Sequence, residues 1–289
     1  MQKLSICTLL LFNSIFAQLF FSEYAEGSSN NKYLEIYNGS GQTINLTDYA
    51  FPNVTNGADI EGTYDYWNTL IAETTDSLDR RRVLWTEILL ENGYEISQEN
   101  LDTCFAEGWK LFDTNWRKNT QTSLEAVVSA AIAKLPTPIT KKIEKQLVEA
   151  YLQASEETPR SLLPEVKETL ESLKTAGLRI GVICDVGTIP SSRLKVWLKD
   201  LNIYSLFDFF GFSDELRVYK PDPLIFTETL KGLDVLDPSR CFHVGDLKRT
   251  DVFGARSVGM TTIRYTGGRE DNEAGDEADY VISGHLQVL

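Results

Sequence analysis

The sequence predicts an α/β protein: a parallel sheet covered by helices on both faces, preceded by a helical bundle and, before that, a short β-rich segment. Three observations carry that expectation. After residue 160, short apolar runs alternate with amphipathic segments, as in a sheet covered on both faces. Residues 76–159 instead repeat apolar side chains at spacings of three and four. Residues 19–64 are rich in turn formers and in two-residue alternation.

Taken in order, Met1-Gln2-Lys3, an apolar run over 4–16 and Ala17 fit an export signal over residues 1–17, which implies a secreted or periplasmic protein. The apolar run is short for a bilayer and no later segment is long enough, so no membrane span is expected. Residues 34–37 alternate like a half-buried strand, Asn38-Gly39-Ser40-Gly41 turns, and 43–46 resumes. Residues 56–64 hold two glycines and two acids, a poor pattern for a central strand. Helices are expected over 80–92, 98–115, 123–134 and 139–154, punctuated by Gly93, Pro136, Pro138 and Pro159. Their aromatic residues Trp85, Trp109, Phe112 and Trp116 suit a core stripe or a pocket wall. Beyond them, helices over 166–176, 191–201, 223–230 and 251–258 separate strands over 178–184, 207–212, 240–245 and 261–265, with a last short strand over 278–282.

The net charge of -14 argues against a nucleic-acid partner, since displacing counterions from phosphate needs lysine and arginine. Beyond the export signal three cysteines remain, Cys104, Cys184 and Cys241, at spacings of neither a zinc site nor a disulfide framework. They read as buried thiols.

The chemistry concentrates at strand ends. The strand ending in Gly245-Asp246, with Asp251 five residues on, offers two carboxylates beside a glycine, a seat for a hard cation such as Mg2+. The plainer alternative is a helix cap and a first-turn acid. Lys220, just before Pro221, can lean over the sheet edge or stay a solvated loop lysine.

Tyr219-Lys220-Pro221-Asp222-Pro223, His243-Val244-Gly245-Asp246, Asp251-Val252-Phe253-Gly254-Ala255 and Ala278-Asp279-Tyr280-Val281-Ile282 occur in that order and spacing. Together they resemble the haloacid dehalogenase superfamily of hydrolases, over residues 65–289. The resemblance implies a Rossmann-like parallel-sheet α/β core over 65–75 and 160–289 with an inserted helical cap over 76–159. It also implies a cytoplasmic hydrolase body and a small phosphorylated metabolite as substrate, cleaved with Mg2+ through an aspartyl-phosphate intermediate. Tyr64-Asp65-Tyr66-Trp67-Asn68-Thr69-Leu70 aligns with the family's nucleophile loop, making Asp65 the nucleophile and Thr69 its support. Lys220 would balance charge, while Asp65, Asp246 and Asp251 would hold the metal. Cys184 stands where the family has a serine or threonine, so Cys184, Asp185 and Thr188, with backbone N–H groups near Gly187, are the expected phosphate contacts.

Trp67 occupies the place of a second aspartate, the general acid of the family's phosphatases, and losing such a group costs roughly a hundred- to ten-thousand-fold in rate. A halide or acyl phosphate, which leaves without a proton, would suffer less, so a 2-haloacid dehalogenase-like hydrolase is the alternative enzyme. Residues 18–64, through the run Phe20 to Gly39, resemble the opening of a lamin-tail domain, a small β-sandwich of secreted bacterial proteins. That resemblance implies a third possibility, a non-catalytic secreted binding protein with a degenerate hydrolase body.

Overall fold

The computed structural model describes residues 19–26, 32–38, 61–73 and 77–289. The export signal expected over 1–17, and most of the lamin-tail-like stretch, lie outside the described residues. The chain divides into two units, Met1–Asn53 and Val54–Leu289. In the first, strands β1 (Leu19–Glu26) and β2 (Lys32–Asn38) pair antiparallel, with a register shift between Phe21 and Glu23. Among the described residues no helix is long and apolar enough to cross a membrane.

The second unit begins with β3 (Glu61–Tyr64) and β4 (Ile71–Glu73). Four helices follow: α1 (Ser77–Glu91), α2 (Gln98–Arg117), α3 (Leu124–Ile132) and α4 (Lys141–Glu157). After β5 (Arg160–Leu162) come α5 (Val166–Thr175), β6 (Ile180–Cys184), α6 (Ser191–Asp200), β7 (Phe209–Phe212), α7 (Ser213–Leu216) and α8 (Pro223–Gly232). The chain ends with β8 (Cys241–Gly245), α9 (Phe253–Ser257), β9 (Thr261–Tyr265) and β10 (Tyr280–Ile282). Six strands form one sheet in the order β10-β9-β8-β3-β6-β7, every neighbour parallel. Parallel pairing forces crossover connections, and the helices supply them.

The helical insertion leaves and re-enters the core through β4 and β5, which pair antiparallel as a two-stranded neck. Three of its helices begin where hydroxyl side chains can satisfy the first free N–H groups. Ser97 accepts from the amide of Asn100, Ser123 from Ala126 and Thr140 from Ile143. The aromatic stripe divides: Trp85 is buried, donating to the Leu147 carbonyl at 3.0 Å, whereas Trp109, Phe112 and Trp116 line a cavity. Cys104, Cys184 and Cys241 are buried free thiols.

The strand with the least strand-like sequence lies in the middle of the sheet. Sequence reasoning assigns residues 61–64 to the N-terminal segment; the structure pairs them with β6 on one side and β8 on the other. The polar side chains of Glu61 and Thr63 have partners that only the folded chain supplies. Buried Glu61 pairs with Arg179 at 2.7 Å. Gly62 leaves room for the Phe242 ring, which a Cβ would approach to 2.4 Å. The Thr63 hydroxyl lies 2.9 Å from His243 Nδ1 and 3.2 Å from the Phe242 carbonyl. Buried polar groups with partners do not penalise a strand.

Candidate active site

Strands of a parallel sheet deliver their following residues to one crevice, outside their carboxyl ends. Here β3, β6 and β8 are adjacent, so the residues after Tyr64, Cys184 and Gly245 meet. Gly245 is required by close packing, since a Cβ there would lie 2.4 Å from the Asp251 side chain. Its absence lets Asp251 fold back over the strand end from a π-helical turn, Lys248–Val252, that precedes α9. Both Asp251 oxygens are held. Oδ1 accepts from Lys220 Nζ at 2.6 Å and lies 3.2 Å from His243 Nε2, while Oδ2 accepts from the Leu247 amide at 3.0 Å and the Thr250 hydroxyl at 3.2 Å.

Asp65 is fixed by its amide, which donates to the Val244 carbonyl at 2.8 Å, and by Lys220 Nζ, 2.5 Å from its Oδ1. Lys220 is therefore no solvated lysine but a buried ammonium between two buried carboxylates. The electrostatics follow from burial and crowding. Burial pushes the Asp65 carboxyl well above its ordinary value, opposed by Lys220 and reinforced by Asp251 and Asp246. Burial, then the Asp251 charge, pushes Asp246 up to about 7. Burial acts the same way on Asp251, but Lys220 and His243 outweigh it and hold that carboxyl below the usual range. Burial lowers Lys220, yet its partners Asp251 and Asp65 keep it well above an ordinary lysine.

One oxygen from each of Asp65, Asp246 and Asp251 lies within 4.8 Å of the others. Fully ionised, the three carboxylates exceed the single lysine charge by two. Arg269 Nη2 lies 2.9 Å from Asp246 Oδ2, an ion pair without hydrogen-bond alignment, so that buried oxygen has no donor. An all-oxygen, negatively charged cluster with an unsatisfied buried oxygen fits a hard divalent cation. Millimolar Mg2+ is expected to raise the melting temperature of the wild type and to lose most of that effect in Asp246→Asn, because a ligand held only by the native state stabilises by mass action. Paired thermal melts with and without EDTA check this; equal shifts in both proteins would remove Asp246 from the cation site.

The remaining expected contacts are rearranged. Cys184 is turned into the core: side chains alternate along a strand, and Ile180, Val182 and Cys184 share the core face. Its thiol, raised further by burial, stays protonated. Asp185 has both oxygens occupied, by the Lys220 amide at 2.7 Å and by the Trp116 indole N–H at 2.6 Å, so it links α2 to the core instead of meeting an anion. Thr188 and Gly187 do line the cavity. Thr69 is wholly buried with its hydroxyl unpartnered, and it acts through its backbone: its carbonyl accepts from His285 Nε2 at 2.7 Å.

That bond makes Nε2 the protonated nitrogen of His285, and burial lowers the pKa of the ring. An unfolded histidine takes up its proton near 6.5, whereas the folded one resists. Stability from His285 is therefore present above about pH 6.5 and lost as pH falls through that value. Urea titrations at pH 7.5 and 5.5 should show a smaller loss in His285→Gln, which keeps a side-chain N–H but cannot titrate. An identical loss in both proteins would remove His285 as a source.

Sequence reasoning did not single out His243, Arg269 or Arg81. The first has a signal in hindsight, a polar ring inside an apolar strand; the two arginines carry no local signal, and only the folded chain brings Arg269 to Asp246 and Arg81 to the cavity.

The cavity above this cluster measures about 670 Å³ and is lined by Asp65, Lys220 and Asp246 and by Arg81 and Tyr151 of the helical insertion. Residues 54–259 match the family model described as haloacid dehalogenase-like hydrolase. A glyceraldehyde 3-phosphate phosphatase of Pyrococcus furiosus is 37% identical over 133 residues, 44% of this chain and 52% of that protein. One from Methanopyrus kandleri is 32% identical over 155 residues, 50% of this chain and 64% of that protein. The chain thus spans less than two thirds of either relative. In fold it is similar to a 2-haloacid dehalogenase from Pseudomonas syringae pv. Tomato, with a TM-score of 0.58 and 23% identity over 79% of this chain and 96% of that one.

Proposed function

Since the chain belongs to the haloacid dehalogenase-like hydrolases, we propose that it is a Mg2+-dependent phosphatase of a small phosphorylated metabolite. The observation that carries this reading is the meeting of Asp65, Lys220, Asp246 and Asp251 at the floor of one cavity. The names of the phosphatase relatives support it.

Asp65 attacks the phosphorus with the oxygen not taken by Lys220, the ester P–O bond breaks, and a carboxyl-phosphate bond forms. Water then attacks that phosphorus, releasing inorganic phosphate and restoring the carboxylate. Lys220 holds Asp65 and Asp251 apart from mutual repulsion and keeps the attacking group oriented. Mg2+, held by Asp65 and Asp246 with Asp251 behind them, would neutralise the incoming phosphate and supply Lewis acidity. Thr188 and the backbone at Gly187, which line the cavity, would receive a phosphate oxygen. Trp67 lines the same cavity and has no proton to give, so the departing oxygen takes its proton from water.

Trp67 also favours a second reading, because a halide leaves without a proton: dehalogenation of a 2-haloacid by the same aspartate. Phosphate release from an aryl phosphate, assayed with Mg2+ and with EDTA beside halide release from 2-chloropropionate, separates the two. Phosphate release that EDTA abolishes is the expected result. Release that persists in EDTA overturns the metal dependence, and halide without phosphate overturns the phosphatase.

A further inference from the structure

The cavity holds a cation that the hydrolytic chemistry does not use. Of the charged side chains that line it, Arg82 is neutralised by Asp102 at 2.7 Å and Asp79 at 2.5 Å. Glu73 is neutralised by Arg160 at 2.9 Å. Arg81 is different. Among the described residues no carboxylate lies within ion-pair distance of it. Its guanidinium carbon sits 3.9 Å from the centre of the Tyr151 ring, its Nη2 donates to Ser155 Oγ at 2.9 Å, and its Nε is buried without an acceptor. The Ser155 hydroxyl in turn donates to the Tyr151 carbonyl at 3.3 Å. These contacts orient the guanidinium without offsetting its charge, and Arg160 lies near enough to repel it.

An arginine held in a fixed plane, facing a cavity and lacking a carboxylate, is suited to a planar or tetrahedral anion through its remaining N–H groups. The reacting phosphate belongs beside Asp65 and Lys220, which line the same cavity. The cavity is also lined by the aromatic rings of Trp67, Trp109 and Phe112. Its volume is that of a small-metabolite site.

We infer that Arg81 binds a second anionic group, so that the substrate is a short-chain phosphomonoester whose far end carries a carboxylate or another phosphate. This rests on the phosphatase reading for the identity of the first group, but the arginine site itself does not require turnover.

Two matched pairs test it, with the full chain and Mg2+ present. 3-Phosphoglycerate differs from glycerol 3-phosphate in bearing a carboxylate, and fructose 1,6-bisphosphate differs from fructose 6-phosphate in bearing a second phosphate. The wild type should favour the member with the second anion in at least one pair, in KM, by about tenfold to a hundredfold, the scale of a charge-assisted hydrogen bond. The pair that discriminates identifies the anion. In Arg81→Met, which keeps the stem against Tyr151, that ratio should collapse toward one, and Arg81→Lys should retain part of it. A wild-type ratio near one in both pairs, or a ratio unchanged in Arg81→Met, overturns the inference and leaves Arg81 a packing residue. Calorimetric binding of the same four compounds to Asp65→Asn supplies the arm without turnover. If nothing is hydrolysed but the Arg81-dependent preference persists in binding, the phosphatase reading fails and the anion site stands. If hydrolysis proceeds without preference, the reverse holds.

Discussion

Asp65→Asn is expected to reduce phosphate release by roughly ten-thousand-fold or more, because removal of a covalent nucleophile leaves only binding and electrostatic contributions. The substitution is close to isosteric, and the amide oxygen can still accept from Lys220, so circular dichroism and the melting transition should remain those of a folded protein. The covalent reading adds a second observable. Wild type quenched in acid during turnover should carry a phosphoryl adduct on the peptide containing Asp65, visible by mass spectrometry, and the variant should not. Retention of more than about a tenth of the activity by Asp65→Asn would point to direct attack by water, with Asp65 reduced to a cation ligand.

Lys220→Met should have the largest effect on stability. The side chain is nearly isosteric in length, but it leaves Asp65, Asp246 and Asp251 buried together without the ammonium that separates two of them. Breaking a buried ion pair by removing one partner costs about 3–5 kcal/mol, most of it from the charge left uncompensated. For a chain of this size that corresponds to a fall in melting temperature on the order of 10 °C. Activity should fall with it, and millimolar Mg2+ should recover part of the stability and little of the rate, since a cation offsets charge without orienting Asp65. A melting temperature within about 2 °C of the wild type in EDTA would mean that the carboxylates are neutral in the native state and that the lysine does not hold them together.

How far these residues can be read from the chain alone depends on where their partners lie. Asp246, Asp251 and Lys220 are legible because each sits beside its own local marker, Gly245, the start of a helical segment, and Pro221. Cys184 is misread as a cavity residue although its own strand holds the correction. Counting in twos from Ile180 puts it on the buried face, and only Asp185 and beyond reach the crevice. Glu61-Gly62-Thr63 cannot be recognised as a central strand, because what makes them one is Arg179, Phe242 and His243, none of them nearby in sequence. Asp185 carries a marker for polarity but none for its partner, the indole of Trp116, which comes from a helix in the insertion. The lining of the cavity mixes aromatic rings with many charged side chains, and the sequence does not tell which of those charges remain unpaired.

The position of β3 has a consequence for the order in which the molecule assembles. Its contacts with the start of β6 span 118 residues and those with β8 span 180. Contacts this remote form late, because the intervening loop must close before any of them contributes. On a ribosome that emits the amino end first, the segment bearing Asp65 therefore emerges early and waits, unpaired on both edges, until the strand ending at Gly245 has been made. The helical insertion, whose contacts are far more local, is free to fold in the meantime. Nascent chains would then carry a finished lid over an unfinished floor, and the polar character of Glu61 and Thr63, satisfied only once the sheet is complete, keeps the waiting edge from joining another copy of itself.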